Sequence, residues 1–63
     1  MANFRVLYDH PHEAEWFRSL HSDLSSAPDG PISGPQPPLV KQVLAYDRPD
    51  IILLDGDVPI LVV

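Results

Sequence analysis

Between Asp50 and Val63 the chain sets two apolar runs on either side of a turn. Ile51-Ile52-Leu53-Leu54 is an unbroken aliphatic stretch, which is how a strand reads when neighbouring elements cover both its faces. Asp55-Gly56 follows, a dipeptide whose residues tolerate positive φ and so favour a two-residue hairpin turn. Val58 to Val63 then returns as a second apolar strand. Pro59 has no N–H to give to a ladder, so it belongs near the turn or at a bulge. Such a hairpin demands cover. Fully burying each of these side chains is worth about 1.5–3 kcal/mol, and an uncovered apolar edge seeks another strand. In 63 residues there is room for one small domain at most to supply that cover.

The upstream sequence offers limited material for it. Phe4 to Tyr8 reads as a short strand of mostly aromatic and aliphatic residues. Asp9-His10-Pro11-His12-Glu13 reads as a helix start: Pro11 suits the first helical position, and Glu13 can reach back to the cap. The spacing predicts a helix to about Leu24, with Trp16, Phe17, Leu20 and Leu24 on the core face and Glu15, Arg18, Ser19, Ser22 and Asp23 mainly outward. Ser25 to Pro38 holds Pro28, Pro31, Pro35, Pro37 and Pro38 with Gly30 and Gly34, and reads as a long surface loop because prolines remove backbone donors and fix φ. Leu39 to Tyr46 reads as a short helix opened by Pro38, with a strand as the alternative because Val40 and Val43 are β-branched. The fold class is therefore α/β or α+β, in the order strand, helix, long loop (25–38), short helix, hairpin, within a single domain over 1–63. The last strand ends on Ile60-Leu61-Val62-Val63 with no polar face, so the expectation is a partial domain. The remainder of that domain or another chain would cover the strand, and the isolated chain would aggregate.

Composition narrows the function classes. There is no cysteine, so disulfide staples and thiolate metal sites are excluded. The net charge is -5, and only Arg5, Arg18, Lys41 and Arg48 are basic. Phosphate contacts need such residues, so a DNA-binding surface would have to come largely from elsewhere. Carboxylates suit divalent cations instead. No apolar run approaches the roughly 20 residues of a membrane span, and the N-terminus lacks the pattern of a signal peptide. The expected location is the cytoplasm.

Arg48-Pro49-Asp50, followed by the apolar hairpin, resembles the PD-(D/E)xK nuclease superfamily, which includes many restriction endonucleases. In that family the aspartate of Pro-Asp opens one strand, and the returning strand carries an acidic residue, any residue and a lysine. The resemblance covers about residues 48 to 63. It implies a restriction-endonuclease-like core with a helix, a strand meander, and a further helix and strand. It also implies Mg²⁺-dependent cleavage of DNA phosphodiester bonds, with Asp50 as the catalytic carboxylate and metal ligand. Such an ion activates water and stabilises the leaving oxygen, and a nearby lysine adds positive charge to the transition state. The acidic-x-lysine triplet is expected immediately after Val63, and Lys41 precedes the motif, so the chain alone is expected to be inactive.

Two other constellations compete. Val6-Leu7-Tyr8-Asp9-His10-Pro11, with Pro49 to Asp55 and Pro59, is similar to a response-regulator receiver domain, which would make Asp55 the phosphoacceptor and Asp9 a partner for its Mg²⁺. Tyr8 replaces one acidic residue of that pattern, and Ile60 to Val63 reads as a strand where receivers have a loop and helix. His10, His12 and Glu13 form a third candidate cluster, but His10 and His12 are expected to point in different directions, and His21 to be exposed. Glu13 or Glu15 is a further candidate beside Asp50. A structural or interaction role without catalysis remains the non-enzymatic alternative.

Overall fold

A computed structural model describes residues 3–24 and 26–63. The elements are β1 (Phe4–Tyr8), α1 (Pro11–Leu20), a 3-10 turn (Ser22–Leu24), β2 (Asp29–Pro31), α2 (Pro38–Tyr46), β3 (Ile51–Asp55) and β4 (Val58–Val62). This is a small α+β fold, built on a four-stranded mixed sheet in the order β2-β1-β3-β4. β1 runs parallel to β2 and antiparallel to β3, and β3 runs antiparallel to β4.

The continuous apolar run does what its composition implies. All four residues Ile51 to Leu54 are buried, and by strand alternation they feed two clusters. On one face Ile51 and Leu53 join Val6, Phe17 of α1 and Leu24. On the other, Ile52 and Leu54 join Leu7 and Val40 of α2. The sheet is thus covered by a helix on each side of its centre. α2 reaches β4 as well, but covers it incompletely, and Val58, Ile60, Leu61, Val62 and Val63 remain exposed.

The hairpin forms as expected, with one shift. Asp55 pairs with Val58, so the two central residues are Gly56 and Asp57 rather than Asp55 and Gly56. Only Gly56 has positive φ, at 62°, the pattern of turns that place glycine first. Leu53 pairs with Leu61 and Leu54 with Pro59, which leaves Ile60 as the extra residue of a bulge. Pro59 sits beside that irregularity, where its missing N–H does least harm.

Three sequence expectations are corrected. The helix ends at Leu20 rather than near Leu24: the chain tightens into i−3 bonds, with His21 N–H on the Arg18 carbonyl at 3.2 Å and Leu24 N–H on the His21 carbonyl at 2.9 Å. The buried stripe of this segment is Ala14, Phe17 and Leu24, while Trp16 and Leu20 are 52% and 61% exposed. The 25–38 segment, Ser25 lying outside the described residues, is more than a loop, because β2 within it pairs with β1. The prolines permit this. The ladder uses the Pro28 carbonyl, which accepts from Val6 N–H at 3.0 Å, and the Ile32 N–H, which donates to Tyr8 at 2.9 Å. Pro31 lies between them on an edge strand and owes β1 no N–H. Arg18 fastens this edge to α1, bonding the Ala27 carbonyl and pairing with Asp29 at 3.1 Å. Gln36 Nε2 closes the following loop on the carbonyls of Pro31 and Ile32, at 3.1 Å each.

β1, β3 and β4 are adjacent and alternate in direction, but β2 and α2 intervene between β1 and β3 in sequence. Among the described residues no helix is long and apolar enough to cross a membrane.

Candidate metal centre

The end of β1, the start of β3 and the end of β4 meet at one rim of the sheet. Asp9 N–H donates to the Asp50 carbonyl at 2.9 Å, and Asp50 N–H donates to the Val63 carbonyl at 2.8 Å. Asp50 is therefore fixed through its backbone between two neighbours. Pro49 before it is buried and Asp50 itself is exposed. Among the described residues no side chain bonds or pairs with the Asp50 carboxylate. Asp47, Arg48, Pro49, Asp50, Val62 and Val63 line a groove of about 400 Å³ beside it.

Asp9 brings the start of α1 to the same rim. Glu13 Oε1 accepts the His10 N–H at 3.1 Å, so the glutamate reaches back to the helix cap as its spacing implies. His10 Nε2 stands 3.6 Å from Asp9 Oδ2. Asp9, His10 and Glu13 each present one possible ligand atom, all within 4.8 Å of one another. Two carboxylate oxygens and an imidazole nitrogen suit a divalent ion: oxygens serve Mg²⁺ or Mn²⁺, and the imidazole widens the choice towards zinc. The Asp50 carboxylate is not among those three, so the rim holds a three-residue cluster with Asp50 as its backbone-bonded neighbour.

The sequence candidates thus separate. Glu13 joins the cluster and Glu15 does not. His12 stays outside it, yet its ring stacks on that of His10, with centroids 5.6 Å apart and planes 10° apart, which corrects the expectation that the two diverge. His21 is exposed as expected and packs against Phe17, with ring centroids 4.6 Å apart.

Asp55 lies at the far end of the sheet. β1 and β3 are antiparallel, with Phe4 opposite Asp55 and Tyr8 opposite Ile51. At ~3.3 Å of rise per residue, Asp9 and Asp55 are separated by roughly 16 Å along the strands. The Asp55 carboxylate accepts the Asn3 N–H at 3.3 Å, and Gly56 N–H bonds the Asn3 carbonyl at 2.9 Å. Its role is to tie the hairpin to the start of β1. A receiver site needs both aspartates at one rim and a helix after Pro59; here they lie at opposite rims and β4 follows.

Sequence reasoning singled out Asp50 but not its pairing with Asp9. That link depends on β1 pairing with β3 across nearly the whole chain, and no local pattern carries such information. No family model, curated protein or solved structure matches the chain.

Proposed function

We propose that this chain contributes the carboxylate half of a metal-dependent, nuclease-like site, with Asp50 as a Mg²⁺ ligand and Asp9 as its neighbour across the strands. The observation that carries the reading is the backbone bond from Asp9 to Asp50. It holds two carboxylate-bearing residues on adjacent strand ends, and rigid elements are what an ion with few protein ligands requires. The β3–β4 register adds support. Val63 N–H bonds the Ile51 carbonyl at 2.9 Å, so a ladder continued by one residue would set that residue opposite Asp50, where the resemblance implies the second acidic group. An ion held there supplies an activated water and neutralises charge on a phosphodiester. Lys41, the sole lysine, lies on α2 and away from this motif. The proposed cleavage of DNA therefore belongs to a protein or assembly that adds the lysine and the basic surface.

Manganese titration of the ¹⁵N-labelled chain tests the reading. Paramagnetic broadening is expected first at the amides of Asp9, Asp50 and Val63. Asp50→Asn should weaken binding by roughly tenfold or more, the loss of one of only one or two carboxylate ligands. Asp55→Asn should leave it unchanged. Broadening centred on Asp55, or an affinity indifferent to Asp50, would overturn the proposal.

A further inference from the structure

The two edges of the sheet are built differently. β2 is three residues long, carries Pro31 and is fastened by Arg18, which are the devices that keep an edge from recruiting a strand. At β4 such protection is confined to the turn end, at Pro59 and the bulge. Beyond it the strand is open. Ile51 and Val63 exchange hydrogen bonds at 2.9 and 3.5 Å, so Ile52 and Val62 form the alternate, non-bonded kind of pair, and Val62 turns its N–H and C=O away from β3. Among the described residues no strand lies beyond it. Leu39, Gln42, Val43, Tyr46, Val58 and Pro59 line an open groove along its α2 side, in which Tyr46 is 90% exposed.

Charge indicates what fits this edge. Residues 58–63 carry no charge. Asp55 and Asp57 flank the turn end, and Asp47 and Asp50 flank the other with Arg48 as the one cation there. Lys41 is carried on α2, Arg5 lies on β1 two strands in from β4, and Arg18 is engaged at the opposite edge. A second copy of the chain would bring acidic ends against acidic ends, within a molecule of net charge -5.

We propose that β4 is a docking edge for an extended segment of another protein, apolar at its centre and bearing lysine or arginine at both ends, which adds to the sheet as a fifth strand. The backbone of Val62 supplies main-chain pairing, the apolar surface of β4 and the Tyr46 groove receive alternate side chains, and the acidic flanks select the ends. This is strand addition with electrostatic selection, and it is independent of the metal reading.

Two synthetic peptides test it: one with a Val-Thr-Val-Thr-Val centre and two lysines at each end, the other with the same centre and two glutamates at each end. The lysine peptide is expected to protect the Val62 amide from exchange and to shift the signals around Ile60. It should bind roughly tenfold more tightly than the glutamate peptide, the sum of a few exposed ion pairs. The preference should shrink as salt is raised. The double variant Asp47→Lys with Asp57→Lys should reverse the preference while its far-UV circular dichroism stays that of the parent; Asp57 lies at the other end of β4 from Asp50, and Asp47 lines the groove beside Asp50 without being a proposed ligand. Equal affinity for the two peptides, protection at β2 instead of β4, absence of binding, or a stable dimer of the chain at low salt would each overturn the proposal.

Discussion

Replacing Phe17 with alanine removes the ring that α1 lays against Val6, Ile51 and Leu53. Large-to-small changes at such sites cost about 3–5 kcal/mol, a large share of what a domain of this size holds in total. Phe17→Ala is therefore expected to leave the chain largely unfolded by circular dichroism. Trp16→Ala should shift the thermal midpoint little, because half of the indole is in water. A larger loss at Trp16 than at Phe17 would contradict the packing described here. The difference between these chain neighbours is only partly legible in the sequence. Four large apolar residues recur at helical spacing, and they outline a stripe wider than the helix can bury. Within the helix Ala14 and Phe17 mark the true face, with Leu24 of the following turn beside them, but alanine is too small to announce it. Glu13 was fully legible, since its bond to the His10 amide follows from a cap three residues upstream.

Among the elements, the hairpin is the one whose local chemistry dictates its shape, and Gly56 is its pivot. At φ 62° an L side chain is strained, by roughly 1–2 kcal/mol. Gly56→Ala is expected to lower stability by about that amount, and Gly56→Asn by less, since asparagine visits this region more readily. Urea titration of the two variants checks the order, and an alanine variant as stable as the parent would exclude this turn geometry. The apolar run and the turn residues made β3 and β4 readable almost to the residue, and Pro38 did the same for α2. β2 was not readable, because three residues with Gly30 and Pro31 carry no strand signal of their own. Its existence depends on β1 offering Tyr8 and Val6 as ladder partners. The candidate centre divides in the same way. Pro49-Asp50 before an apolar run is a local sign, whereas its proximity to Asp9 is a property of the sheet order.

At the scale of the whole molecule, an acidic chain carries an apolar edge. At low ionic strength the carboxylates at both ends of β4 oppose self-pairing, and salt removes that opposition as the screening length falls to ~10 Å at 0.1 M and ~3 Å at 1 M. Self-association is thus expected to rise with sodium chloride in sedimentation experiments, and Ile60→Thr combined with Val62→Lys should suppress it. Association that weakens with salt would mean that opposite charges, and not the apolar edge, hold the copies together. The position of β3 in the chain has a further consequence. Both buried clusters are built on residues from Ile51 to Leu54, although β1, α1, β2 and α2 all precede them. During synthesis at roughly 5–20 residues per second, the first fifty residues, β1 and β2 among them, wait for seconds without the strand that joins the two clusters. The nascent chain therefore cannot settle piece by piece as it leaves the ribosome. Both clusters close only once β3 is made, and until then the aliphatic and aromatic side chains before it are open to whatever chaperone meets them.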